Sequence, residues 1–196
     1  MQYSYGATPL DPDEIAGLIH KHVTTRGELD HLEQANIEDG LIWLSKQKNL
    51  YILSENYIKK LHVKLFGKVW KWAGVFRLSE KNIGVDPFKI VIDLRNLIDD
   101  TKYWIEHAVY DPIEVAARFH HRLVFIHLFP NGNGRHARIM SDCILTKIYN
   151  EKPINWSGGY EPHRMQERRK LYINVLRAAD KGNYAPLLEF CGKLSI

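Results

Sequence analysis

Apolar residues recur at helical spacing over most of the chain. Leu29, Leu32, Ile37, Leu41 and Leu44 mark one side of a long helix, with Glu33, Asn36 and Gly40 on the same side. It opens at a capping box, Thr25-Arg26-Gly27-Glu28, in which the hydroxyl and the carboxylate each satisfy a free N–H group. Asp11-Pro12-Asp13-Glu14 and Asp111-Pro112-Ile113-Glu114 carry the same start chemistry with proline at the first helical position. They predict a short helix to about residue 21 and a longer one to about residue 126. Ser54 caps a predicted helix ending at Phe66. Further helices are expected over about 92–107, 134–149, 162–180 and 184–191, the third of these regions closed by Gly182.

One stretch breaks the pattern. From Trp70 to Lys89 the chain carries Gly74, Gly84 and Pro87 among aromatic and β-branched residues. This predicts a short β-hairpin. The expected fold class is therefore mainly α, a helical bundle with one hairpin. No low-complexity linker divides it, so residues 1–49, an N-terminal helical segment, and residues 50–196 are expected to pack as one unit.

The chemistry concentrates in residues 127–138, His-Leu-Phe-Pro-Asn-Gly-Asn-Gly-Arg-His-Ala-Arg. His127 is in phase with Ile113, Ala116, Ala117, His120 and Val124. Ala137, Met140, Ser141, Ile144, Leu145 and Ile148 form the apolar side of the next helix. Gly132 and Gly134 allow a sharp turn that exposes N–H groups at a helix start, where the partial charge is positive. Arg135 and Arg138, three residues apart, share a side of that first turn. Two cations there are unfavourable without an anion, so a di- or triphosphate is the expected guest. Asn131 and Asn133 offer carbonyl oxygens for Mg²⁺ or amides for phosphate. His127 is the proton acceptor beside this cradle, which points to phosphoryl or nucleotidyl transfer to a hydroxyl.

Composition narrows the setting. Of 196 residues, 45% are hydrophobic, which supports a packed core. The net charge of +4 fits an anionic small molecule or an acidic partner surface and does not point to nucleic acid. Cys143 and Cys191 form no disulfide framework, and the first residues show no signal peptide, so the cytoplasm is the expected location. No apolar run is long enough for a membrane span. The histidines show no CxxC or HExxH spacing, so no zinc site is expected. Arg164, Arg168, Arg169 and Lys170 are expected to form a solvated face. Trp156 and Tyr160 are expected to close over the core.

Residues 127–138 closely resemble the Fic/Doc signature HxFx(D/E)GNGRxxR. The resemblance extends to Trp72–Arg77 with Lys81–Gly84, similar to the family's flap hairpin, and to Tyr172–Leu188, similar to its C-terminal helices. The whole chain, including Ala7–Glu14, resembles the subgroup called mobile mystery protein B. The resemblance implies a Fic fold and transfer of AMP from ATP to a Ser, Thr or Tyr hydroxyl of a target protein. It implies that His127 is the base and that Phe129 packs beneath the loop. Asn133, Gly132 and Gly134 would hold phosphates, and Arg135 and Arg138 would bind the β- and γ-phosphates. Ile83, Gly84 and Val85 would dock the target as an added strand. Asn131 stands where the family carries an acidic Mg²⁺ ligand, and a neutral oxygen is the weaker ligand for a hard cation.

Many family members carry an inhibitory glutamate that pairs with the second arginine. Glu33 is the preferred candidate, because a carboxylate on an inward helix face needs a cation, with Arg138 as the expected partner. Glu28 is the alternative, although it already serves Thr25. Two rival functions remain: a Doc-like phosphotransferase, disfavoured by the intact Gly134, and a weakly active or inactive toxin-like module bound to an antitoxin.

Overall fold

The computed structural model describes residues 11–48, 51–158 and 164–192. Among the described residues eight α-helices follow one another: α1 (Pro12–Ala16), α2 (Arg26–Ser45), α3 (Glu55–Phe66), α4 (Ile90–Glu106), α5 (Pro112–Ile126), α6 (Asn133–Cys143), α7 (Met165–Asp180) and α8 (Ala185–Phe190). A π-helical turn, Ile144–Tyr149, extends α6.

Cap chemistry sets the starts. Thr25 Oγ1 accepts the Glu28 N–H at 3.3 Å while Glu28 Oε2 accepts the Thr25 N–H at 3.0 Å. Glu28 is thus spent on the cap. Ser54 and Asp111 accept from Tyr57 and Glu114 in the same way. α1 is shorter than its pattern predicts and ends at Gly17.

The main core joins Leu29 and Ile37 of α2, Ile58, Leu61 and Leu65 of α3, Leu94 and Leu97 of α4, Phe119 and Leu123 of α5, and Ala137 and Met140 of α6. α2 meets α3 closely at Gly40, where a Cβ would lie 2.8 Å from the Lys64 carbonyl oxygen. Asn36 fastens the pair by donating to Lys64 O and accepting from Lys68 N. A second apolar cluster unites α5, α7 and α8 through Ala116, Val175, Ala179 and Leu187. None of the described helices is long and apolar enough to cross a membrane.

Two expectations need correction. The hairpin over residues 70–89 does not form. Among the described residues, the one bridge in this region is antiparallel between Leu18 and Trp70. The segment's polar groups instead bind other elements: Arg77 N–H donates to Leu128 O, and Val85 N–H to Ile126 O. Glycines and β-branched residues fit an irregular loop pinned to a helix end as readily as a two-stranded ribbon. Arg168 is also not solvated. It is buried, donates to the carbonyls of Asn155, Trp156 and Phe190, and lies 3.4 Å from the Phe190 ring centroid. Tyr160 and Pro162 fall outside the described residues.

Candidate active site

α5 delivers His127 as its C-cap, one residue past Ile126, in the left-handed region at φ 57°. The chain reverses there, runs through Leu128–Asn131 and enters α6 at Gly132, φ 80°. A Cβ on Gly132 would come within 2.7 Å of the Phe66 ring, so glycine is required by both conformation and space.

Side chains from three directions hold this loop. Asn133 is buried. Its Oδ1 accepts the Phe129 N–H at 2.9 Å and its Nδ2 donates to Phe129 O at 2.7 Å. Its amide therefore braces the loop and does not face a phosphate or a metal, contrary to expectation. Its backbone N–H at the helix start remains suited to an anion. His62 of α3 donates through Nε2 to Asn131 O at 3.1 Å, because its Nδ1 accepts the Gly74 N–H at 3.0 Å. The His62 ring stacks on Phe129 at 3.7 Å. His136 reaches Ile58 O at 3.0 Å. Phe129 is fully buried beneath the loop.

Arg77 is the third brace. It is 2% exposed, and its Nε donates to His127 O at 2.6 Å. Its other nitrogens donate to the carbonyls of Ser79, Val85 and Ile126. One guanidinium thus ties residues 79–85 to the end of α5. Gly84 lies directly over His127: a Cβ there would sit 2.6 Å from His127 Cβ and 2.7 Å from Arg77 Nη2. Ile83 and Gly84 are exposed, and Val85 is half-buried.

His127 is 4% exposed. Burial, then the Arg77 and Lys81 charges, push its pKa down to about 4, against a hydrogen bond with the Val124 backbone. It is neutral at physiological pH, the form a base needs.

The arginines stand at the start of α6. Arg135 Nη1 pairs with Glu33 Oε2 at 2.7 Å, and Glu33 Oε1 accepts from Trp70 Nε1 at 2.8 Å. Glu33 is therefore buried with a cationic partner, but the partner is Arg135 and not Arg138. Arg138 lies instead 5.6 Å from the Tyr172 ring centroid. The hydroxyl of Tyr172 shares a hydrogen bond of 2.9 Å with His120. It also borders the open side of Gly134, whose added Cβ would meet nothing else within 4 Å. Arg169 of α7 has a lowered pKa, from desolvation and from the charges of Arg138 and Arg135. Three guanidinium groups thus lie within electrostatic reach of each other beside an open glycine.

Metal support is thin. Asn131 Oδ1 accepts the Gly132 N–H at 2.6 Å. No group of three or more His, Cys, Asp or Glu side chains able to hold a metal ion occurs among the described residues.

Arg77, His62 and Arg169 were not singled out by the sequence pattern. His62 left a signal, an imidazole among Ile58, Leu61, Leu65 and Phe66 on a buried face. Arg77 left only its place in a motif, and Arg169 was hidden in a basic run.

These features define a helical domain with a buried neutral histidine beside a cationic helix start. Residues 52–145 match the Fic/DOC family. Among curated proteins it is 28% identical over 148 residues to Protein adenylyltransferase Fic of Aedes aegypti, covering 73% of this chain and 28% of that protein. It is 26% identical over 174 residues to the Nematostella vectensis protein of the same name, covering 84% and 38%. The chain thus spans well under half the length of these relatives. Among solved structures, Fic-1 (residues 134–508) of C. elegans superposes with a TM-score of 0.65 at 24% identity, covering 89% of this chain and 51% of that one. BepC of Bartonella tribocorum, a VirB-translocated effector solved with bound AMPPNP, gives 0.70 at 17% identity, covering 92% and 96%. Both share the fold.

Proposed function

We propose that this protein is an adenylyltransferase that moves AMP from ATP to a Ser, Thr or Tyr hydroxyl of a target protein. The carrying observation is the placement of a buried, neutral His127 one short loop from the α6 N-terminus that bears Arg135 and Arg138. His127 takes the hydroxyl proton. The freed oxygen attacks the α-phosphorus, and the bond to the pyrophosphate breaks. Backbone N–H groups of Gly132, Asn133 and Gly134, with Arg135 and Arg138, hold the β- and γ-phosphates and stabilise the leaving charge. Residues 83–85 dock the target chain over His127.

Glu33 acts as the brake. It already occupies Arg135, so a triphosphate must compete with a buried carboxylate for that guanidinium. Residues 1–49 are in this reading a regulatory segment on a catalytic unit of residues 50–196, working in a reducing cytoplasm that keeps Cys143 and Cys191 as thiols. Asn131 alone makes a poor Mg²⁺ site, and no step above passes through the metal. Where Mg²⁺ takes part, phosphate oxygens and water supply most of its shell.

The test uses ATP labelled at the α- or the γ-phosphate, with the wild-type chain and Glu33→Gly. Transfer of α-label, stronger in Glu33→Gly, is the expected result. Transfer of γ-label instead would mark a phosphotransferase, and no transfer by either chain would leave a binding module of the toxin–antitoxin kind. Equal labelling by both chains would remove the brake.

A further inference from the structure

An ion cluster around the buried side chain of Lys81, with Glu14 largely enclosed and Asp11 half-exposed, joins α1 to the segment above His127. Lys81 Nζ pairs with Asp11 Oδ2 at 2.8 Å and with Glu14 Oε2 at 2.5 Å, and the Lys81 side chain is only 3% exposed. Glu14 Oε2 also accepts the Asp11 N–H, and Glu14 Oε1 accepts from Ser79 Oγ at 3.2 Å. The backbone closes the same junction. Trp72 Nε1 donates to Glu14 O, Lys71 N–H to Gly17 O, and Ile19 N–H to Val69 O.

The contrast with Lys68–Asp39 decides how much this cluster matters. That pair is 70% and 52% exposed, and such pairs contribute about 0–1 kcal/mol. Lys81 is enclosed, so removing its carboxylates leaves a desolvated ammonium that must move toward water. Lys81 lies between Ser79 and Val85, whose carbonyls Arg77 draws toward the end of α5. The segment is therefore held from two sides: by Arg77 from the catalytic loop and by Asp11 and Glu14 from the N-terminal helix. It is close enough to His127 for the Lys81 charge to act on that ring.

We propose that Lys81, gripped by Asp11 and Glu14, is a positioning residue that latches residues 78–86 over His127. The N-terminal helix thereby sets how the target hydroxyl is presented, without binding ATP. This rests on the AMP-transfer reading and on residues 83–85 as the docking segment.

Glu14→Gln and Asp11→Asn are the informative variants, because each amide can still serve its helix cap while the charge facing Lys81 is lost. Hydrogen–deuterium exchange on the full chain compares wild type with these two, Lys81→Met and Lys81→Arg. Lys81→Met and Glu14→Gln should speed exchange in residues 78–86 by at least about tenfold. Asp11→Asn should do so to a smaller degree. Exchange in residues 127–138 should stay as in wild type, and Lys81→Arg should restore protection. In a Glu33→Gly background, Lys81→Met should lower α-label transfer at every ATP concentration with the KM for ATP unchanged. Unchanged exchange in residues 78–86 of both Lys81→Met and Glu14→Gln overturns the latch, as does a uniform rise along the whole chain. Absence of α-label transfer in the Glu33→Gly parent would instead count against the AMP-transfer reading, and the exchange comparison would still decide the latch.

Discussion

Replacing Arg77 by methionine removes the donors that hold the catalytic loop to the segment above it. Methionine keeps an unbranched stem of similar reach, so the lost interactions are polar. The carbonyl of His127 loses a buried charged donor at 2.6 Å, and a buried acceptor left unsatisfied costs about 1–3 kcal/mol. The Ile126 contact at 3.4 Å is too long to add much. The Ser79 and Val85 carbonyls lie on half-buried residues where water can replace the guanidinium. Holding His127 at positive φ without its brace adds about 1 kcal/mol. The expected loss is about 3 kcal/mol, or a fall in Tm of roughly 6–12 °C for a chain of this size. Urea and thermal denaturation measure it. The same substitution removes the second-largest cause of the low His127 pKa. Its titration midpoint, followed by NMR, should rise above about 4 yet stay below 6.5, because burial remains. A stability loss below about 1 kcal/mol together with an unmoved midpoint would refute this account of Arg77.

Gly84→Ala should destabilise the protein by about 1–3 kcal/mol and reduce α-label transfer, since φ is 107° and the new methyl would overlap His127 and Arg77. Wild-type transfer by that variant would mean the segment moves freely away from the histidine. Asn131→Asp should lower the Mg²⁺ concentration needed for half-maximal transfer by on the order of tenfold, because a carboxylate is the better ligand for a hard cation. An unchanged Mg²⁺ dependence would show that position 131 does not face the metal. Burial holds His120 down to about 3, and His127 and His136 to about 4, so the folded chain keeps them neutral while the unfolded chain protonates them below about 6.5. Stability from these groups is therefore full above pH 6.5 and is lost as pH falls toward 4, by roughly 3–4 kcal/mol between pH 6 and pH 5. Equal urea midpoints at pH 7 and pH 5 would contradict this.

Helical periodicity and cap residues placed most helices within a few residues of their observed bounds, because capping and amphipathic spacing are local properties of the chain. The glycines and arginines of residues 127–138 likewise announced an anion site at a helix start, since the chemistry of that start depends on neighbours in sequence. Partners distant in sequence were another matter. Glu33 carried the mark of an inward carboxylate, yet its pairing with Arg135 in preference to Arg138 follows from how α2 crosses α3 and meets α6. The segment over residues 70–89 had the composition of a hairpin. Its donors and acceptors found the end of α5 and the N-terminal helix instead, through Arg77 and Lys81, and side chains that bury a charge choose partners by three-dimensional proximity. Asn133 shows the same division within the motif: its position was legible, but only the closed loop turned its amide inward to brace Phe129. Local pattern thus determined the elements and the type of chemistry, while tertiary packing decided which charges meet and what covers the histidine.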